Sequence, residues 1–160
     1  MDRQFLITHF EMLLPLAVKW VATVEKRILR DGVPLSEQET ADARAIGVRV
    51  PERVRLLALG QVPAPRNLTL RTAAAAIRFL TPETRGLAFR YGIFVRGDCW
   101  GERALVAHEL AHTAQYERLG GIRPFLKQYL LECLTIGYPA APLEQEAVVA
   151  ASRLDLGGLA

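Results

Sequence analysis

The segment HELAHTAQYERLGG constrains the fold of this chain more than any other stretch of its 160 residues. It follows the apolar, helix-forming run ERALVA and ends in a pair of glycines. We therefore predict a helix that begins about Gly101 and ends at Gly120. Residues four apart lie on one helical face, which places His108 beside His112. Two of the chain's three histidines thus share one face of this helix.

The pattern HExxH within this segment has the spacing of a zinc site. Two histidines one helical turn apart can offer imidazole nitrogens to one Zn²⁺ ion. Glu109 lies close enough to take a proton from a water molecule on the metal. The pattern also occurs by chance on charged surface helices. Here its two variable positions are the apolar residues Leu110 and Ala111, which argues against a charged surface helix. We interpret His108 and His112 as metal ligands and Glu109 as a general base.

A third ligand must come from outside the pattern, because zinc in hydrolases usually has three protein ligands and one open position. A metzincin would have a third histidine six residues after His112, where this chain has Arg118. That class is excluded. The remaining histidine, His9, lies beside Phe10 in the N-terminal helix, and we interpret it as a structural residue. An acidic third ligand remains.

Several glutamates could be this third ligand. Glu117 is on the same helix as His112 and cannot easily fold back to it. Glu132 lies 20 residues after His112, on a helix that would return antiparallel after the glycine pair. Glu144 and Glu146 stand further along, in the segment PLEQEA. The spacing of the residues leaves Glu132, Glu144 and Glu146 open as alternatives.

The rest of the chain predicts a mixture of helices and strands. The first N-terminal helix is predicted from apolar residues with helical spacing. The second is predicted from a capping box at Ser36 and Glu39 and from Gly47, which would end it. The other segments predict further helices at 70–80, 124–134 and 143–154, a strand at 54–59, and one or two strands within 86–98. We expect an α+β single domain, mainly helical, with a small β-sheet preceding the HExxH helix.

Length and hydropathy indicate one domain that does not enter a membrane. We assign residues 1–160 to a single domain, as this length is typical of one core. The apolar stretch 10–29 is interrupted by charged residues and a proline, and no signal-peptide pattern is present at the start. We therefore expect a cytoplasmic protein. Cys99 and Cys133 form no CxxC pair, so we predict reduced thiols that are at least partly buried.

The net charge of +3 conceals a basic central segment. Residues 44–103 contain 11 arginines, no lysine and four acids. These arginines stand singly among apolar residues, without the basic clusters and interleaved aromatic residues of a strand-binding groove. We interpret them as a solvated basic surface. Nucleic acid is therefore a disfavoured partner, and a hydrolase that acts on a nucleic-acid-bound protein ranks last among the functions considered.

The combination of HELAHTAQYERLGG, FLKQYL and GYPAAPLEQEA resembles the gluzincin branch of zinc metallopeptidases, in particular small uncharacterised bacterial metallopeptidases with a downstream P-x-E-x-E-A. The resemblance covers about residues 86–151, and residues 1–85 form an N-terminal helical part without a matching motif. It implies a zincin-like fold in which residues 86–155 carry the strand, the HExxH helix and the third-ligand helix. It also implies Zn²⁺ bound by His108, His112 and Glu144. Glu109 would then be the general base that uses a zinc-activated water to hydrolyse a peptide or protein substrate.

One position departs from the pattern of the related membrane gluzincins, which carry an ExxAD helix. Val148 stands where that pattern has Asp, so the orienting carboxylate is either missing or replaced by another group. The alternative function is accordingly a catalytically inactive zincin-fold module for binding or assembly.

Two further features are compatible with a peptidase. GLAFRYGIFVR occupies the place of the edge strand that holds an extended substrate in such folds, although an ordinary core strand explains it equally well. Tyr91, Tyr129 and Tyr138 are candidates for stabilising an oxyanion, and none of them is assigned that role from the sequence.

Overall fold

The computed structural model describes residues 1–157, with side chains through Leu154, and these residues form seven α-helices and a four-stranded sheet. The predicted domain ends at residue 160, and residues 158–160 lie outside the described part. The helices are α1 (Arg3–Thr8), α2 (Phe10–Asp31), α3 (Glu37–Ile46), α4 (Leu68–Ala76), α5 (Arg103–Leu119), α6 (Ile122–Thr135) and α7 (Pro142–Gly157). The strands are β1 (Val33–Pro34), β2 (Arg55–Leu59), β3 (Gly86–Phe89) and β4 (Gly92–Arg96). The predicted mixed, mainly helical single domain is confirmed.

Helix α2 forms the centre of the core. Its apolar face, which includes the fully buried Ile28, packs against the sheet and α6. A Cβ atom on Gly92 would lie 2.9 Å from the Cβ of Ile28, so this glycine allows β4 to approach the helix closely. The buried Glu25 accepts hydrogen bonds from the Arg90 guanidinium at 2.8 and 2.9 Å and from the backbone N–H of Tyr91 at 3.1 Å. These bonds tie α2 to the turn between β3 and β4.

The sheet has the order β1-β2-β4-β3 and is mixed. Strands β2 and β4 are parallel, whereas β1 pairs antiparallel with β2 and β3 pairs antiparallel with β4. The strand predicted at 54–59 is thus confirmed, and the segment 86–98, where one or two strands were predicted, contains two. Strand β3 lies at one edge of the sheet, beside α5. The sheet therefore presents an edge strand next to the helix that carries the histidine motif.

Local sequence signals at the helix ends correspond closely to the structure. Ser36 accepts a hydrogen bond from the backbone of Glu39, while the Glu39 carboxylate accepts one from the backbone of Ser36, which is the predicted capping box. Gly47 ends α3 in the left-handed conformation, as expected. The predicted bounds of α4 are wrong at the C-terminal side. The helix ends at Ala76 rather than Leu80, because Arg78 adopts a left-handed conformation with φ of 56° and turns the chain.

The three C-terminal helices bring α7 back along α5. Gly120 and Gly121 have φ values of 101° and 123°, a region that favours glycine, and they turn the chain from α5 into α6. After α6, the segment 136–141 leads into α7, which packs extensively on α5. The predicted return of a downstream helix to the motif is confirmed.

Three predictions from composition concern the whole chain. Within residues 1–157, no helix is sufficiently long and apolar to cross a membrane. Cys99 and Cys133 are free and buried, as expected. Several central arginines form ion pairs instead of lying unpaired on the surface, and these are the pairs Arg49–Glu117, Arg85–Glu102, Arg90–Glu25, Arg96–Asp98 and Arg103–Asp42. The basic character of the central segment is therefore partly neutralised within the fold.

Candidate metal centre

Two histidines of α5 and one glutamate of α7 meet at a single point. The Nε2 atoms of His108 and His112 are 3.2 Å apart. The Glu144 carboxylate lies 3.2 Å from His108 Nε2 and 3.1 Å from His112 Nε2. Tetrahedral zinc with bonds of about 2.0–2.1 Å holds its ligand atoms roughly 3.3 Å apart. Each imidazole thus faces one oxygen of the Glu144 carboxylate at about this spacing, and the three residues form a group that could hold a metal.

The two rival glutamates lie elsewhere and have other partners. Glu132 accepts a hydrogen bond from the backbone N–H of Leu143 at 2.9 Å, at the start of α7. Glu146 forms an ion pair with Arg118, at 2.6 Å. Of the three glutamates that the spacing left open, only Glu144 lies with the histidines. Its role as a ligand stays a prediction.

Glu109, the predicted general base, lies buried beside this cluster. Burial raises the pKa of its carboxyl group, whereas the nearby His108 and His112 lower it and only partly offset the effect of burial. One of its oxygens, Oε2, is buried and has no hydrogen-bond partner. Buried carboxylate oxygens are normally paired, so this atom marks a place where a polar group such as water would fit. That unpaired oxygen supports a metal and water site at this position.

Strand β3 approaches Glu109 closely. A Cβ atom on Gly86 would lie 3.0 Å from Oε1 of Glu109 and 3.1 Å from a methyl carbon of Leu105. A larger residue at this position would have to displace one of these side chains. Gly86 therefore keeps room for the Glu109 carboxylate between the edge strand and α5.

The electrostatics of the cluster favour a bound cation. Burial opposes the negative charge of Glu144, but hydrogen bonds with His108 and His112 outweigh it and hold the pKa of this carboxyl group well below its usual value. Burial likewise opposes protonation of His112, but interactions with Glu144 and Glu109 outweigh it and raise the pKa of the imidazole. In the metal-free protein, the carboxylates thus attract positive charge to the imidazoles. A metal ion would supply that charge and replace the protons.

The three candidate tyrosines have different surroundings. Tyr129 donates a hydrogen bond of 2.5 Å to Oε1 of Glu144, so its hydroxyl supports a candidate ligand. Tyr91 donates to Glu117, which lies further along α5 and outside the group of candidate ligands. Tyr138 is 61% exposed and lines the cleft in front of the cluster.

The cluster opens into a cleft of about 550 Å³. His108, Glu109, His112 and Glu144 all contribute to its wall. Apolar side chains and the edge strand form much of the remaining wall, namely Ile77, Phe79, Gly86, Leu87, Ala104, Leu105 and Tyr129. The volume is within the usual range for sites that bind small molecules.

The residue at position 148 does not orient a ligand, as the Asp of the ExxAD pattern would. Val148 is 49% exposed on α7, so its side chain does not point into the buried cluster. Instead, the Nδ1 atom of His112 lies 2.8 Å from Oε1 of Gln115. Gln115 was assigned no role from the sequence, and its contact with His112 was not predicted. Its position three residues after His112, on the same helical face, is the signal that could have identified it.

The chain was also compared with protein-family models, curated proteins and solved structures, and none of them matches it. The interpretation of the site therefore depends on the geometry and chemistry of its own residues.

Proposed function

We propose that this protein is a zinc-dependent peptidase of the zincin-like, gluzincin type. In this proposal His108, His112 and Glu144 hold Zn²⁺, and Glu109 is the general base. The observation that carries it is the buried, unpaired Oε2 atom of Glu109 beside two imidazole Nε2 atoms, 3.2 Å apart, each of which lies 3.1–3.2 Å from an oxygen of the Glu144 carboxylate. A purely structural role for α5 would not explain why these four side chains lie together in the wall of an open cleft, namely His108, Glu109, His112 and Glu144.

The residues of the site divide the chemistry between them. A zinc ion held by His108, His112 and Glu144 would lower the pKa of a water molecule to about 7 and would polarise a carbonyl group. The carboxylate of Glu109 takes a proton from the attacking water and returns it to the leaving amine. Without a metal, burial raises the pKa of Glu109, and a buried carboxylate is a stronger base than that of an exposed glutamate.

The edge strand supports a peptide as the substrate. Strand β3 pairs with β4 on one side only, and its residues Gly86 and Leu87 line the cleft. On the other side of β3 the Ala88 carbonyl already accepts from the Tyr116 hydroxyl. An extended peptide could therefore pair through backbone hydrogen bonds with the Gly86 end of the strand, while the apolar wall of the cleft receives its side chains. Such a peptide would cross the cleft in front of Glu109.

We expect the zinc-loaded protein to cleave peptide bonds in a mixed peptide library, with products identified by mass spectrometry. A chelator should stop cleavage and added zinc should restore it, because the proposed reaction needs the metal that His108, His112 and Glu144 would hold. Bound zinc without any cleavage across the library would contradict the proposal and favour the inactive binding or assembly module.

A further inference from the structure

We propose that Gln115 is a positioning residue that joins the two helices bearing the candidate ligands, and that it orients both His112 on α5 and the segment of α7 that carries Glu144. This inference rests on the proposed metal site. Gln115 is 2% exposed, and both ends of its side-chain amide form hydrogen bonds. Its contacts determine which atom of His112 faces the site.

The orientation of the Gln115 amide follows from its partners. The amide Nε2 lies 2.9 Å from the carbonyl oxygen of Leu143 and 3.0 Å from Oε2 of Glu146, and both of these atoms are acceptors. They use both N–H groups of the amide, so Oε1 must be the atom that faces His112. This oxygen can only accept, and Nδ1 of His112 therefore donates. In a neutral His112 the proton is then on Nδ1. The unprotonated Nε2 atom faces His108 and Glu144, where its lone pair could bind a metal.

The same amide fixes the neighbouring helix. Leu143 immediately precedes Glu144, so the bond from Gln115 holds the backbone next to the candidate ligand. Glu146 is held in turn by two bonds from the Arg118 guanidinium, at 2.6 and 2.9 Å. Arg118 occupies the position of the third histidine in a metzincin, and here it anchors the group that orients Gln115. The network thus links α5 to α7 on both sides of Glu144.

The network also explains how the site can form without a carboxylate at position 148. An outer partner of a metal-bound histidine normally accepts a hydrogen bond from its second nitrogen. Gln115 provides that acceptor as a neutral amide, and its N–H groups additionally bind α7, which a carboxylate could not do. We therefore expect both the affinity for the metal and the tautomer of His112 to depend on Gln115.

The test is the zinc affinity of Gln115→Leu, measured by competition with a chromophoric chelator. Leucine has a similar size but cannot accept from His112 or donate to α7. We expect affinity to fall roughly 10–100-fold, the usual effect of losing an outer partner. Gln128→Leu is the matched control, because Gln128 is exposed on α6 and bonds only Glu132 among the described contacts. The control should remain within about threefold of the wild type.

A spectroscopic measurement separates positioning from a general loss of structure. In zinc-loaded, ¹⁵N-labelled wild type, the Nδ1–H of His112 should give a slowly exchanging signal, since it is buried and bonded to Gln115. That signal should exchange rapidly in Gln115→Leu. Wild-type affinity together with an unchanged signal in this variant would overturn the inference.

Two other outcomes distinguish this inference from the proposed function. If the wild type binds zinc but cleaves no peptide, the peptidase proposal fails while the affinity comparison still decides the role of Gln115. If the wild type binds no zinc, both fail. Should Gln115→Leu not fold, Gln115→Glu decides instead: it can accept from His112 but cannot donate to Leu143 or Glu146. We expect its affinity to be lowered as well, and wild-type affinity would contradict the link between the helices.

Discussion

Glu109→Gln lowers the rate of peptide hydrolysis by about 10²–10⁴-fold, the usual contribution of a general acid–base group. The amide has nearly the same shape as the carboxylate but cannot take a proton from water. Glu109 is not one of the three clustered donors, so the variant should still bind zinc at the wild-type level. The measurement is kcat on a peptide identified in the library, with zinc content determined on the same sample.

A matched substitution controls for the change of charge. Glu37 is exposed in the first turn of α3 and does not line the cleft, so Glu37→Gln should cleave at the wild-type rate. If Glu109→Gln retained more than about a third of the wild-type rate with zinc bound, Glu109 would not be the base.

Saturating zinc raises the free energy of unfolding by about 4 kcal/mol when free zinc is about 1,000 times its Kd, because only the folded chain assembles the three donors. For a chain of this size that increase corresponds to a rise in Tm of roughly 8–16 °C. Thermal unfolding with zinc and with chelator measures it. The rise should shrink as the pH falls, because His112, whose pKa is raised in the metal-free protein, must lose its proton before it can bind metal.

The third histidine of the chain provides the control for this experiment. His112→Ala should abolish the zinc-dependent rise, whatever its effect on the metal-free protein. His9 lies at the N-terminus of α2, and its Nδ1 atom bonds the backbone of Phe5. His9→Ala should therefore keep the full rise. An equal rise in His112→Ala and the wild type would place the metal elsewhere.

The parts of the fold that were predictable from the sequence are those determined by local interactions. The spacing of apolar residues identified α2, and the capping box and Gly47 identified both ends of α3. The HExxH spacing placed His108 and His112 together because a single helical turn joins them. Gly120 and Gly121 predicted that the chain turns after α5, which the structure confirms.

The features that were not predictable depend on tertiary packing. Helix α1 and the two-residue strand β1 have no strong periodic signal, and neither was predicted. The end of α4 was misplaced because Arg78 adopts a conformation usually reserved for glycine. The spacing of Glu132, Glu144 and Glu146 could not show which of them reaches the histidines, since that depends on how α7 packs against α5. The contacts of Gln115 to α7 depend on the same packing.

The measurement that tests the metal site most directly is the zinc content of purified wild type beside Glu144→Ala and Glu132→Ala. Wild type should contain about one zinc ion per chain, as a single three-ligand site requires. Glu132→Ala should contain the same amount, because Glu132 bonds the backbone of Leu143 and not the metal cluster. Glu144→Ala should contain almost none. Zinc retained in Glu144→Ala but lost from Glu132→Ala would contradict the site described above.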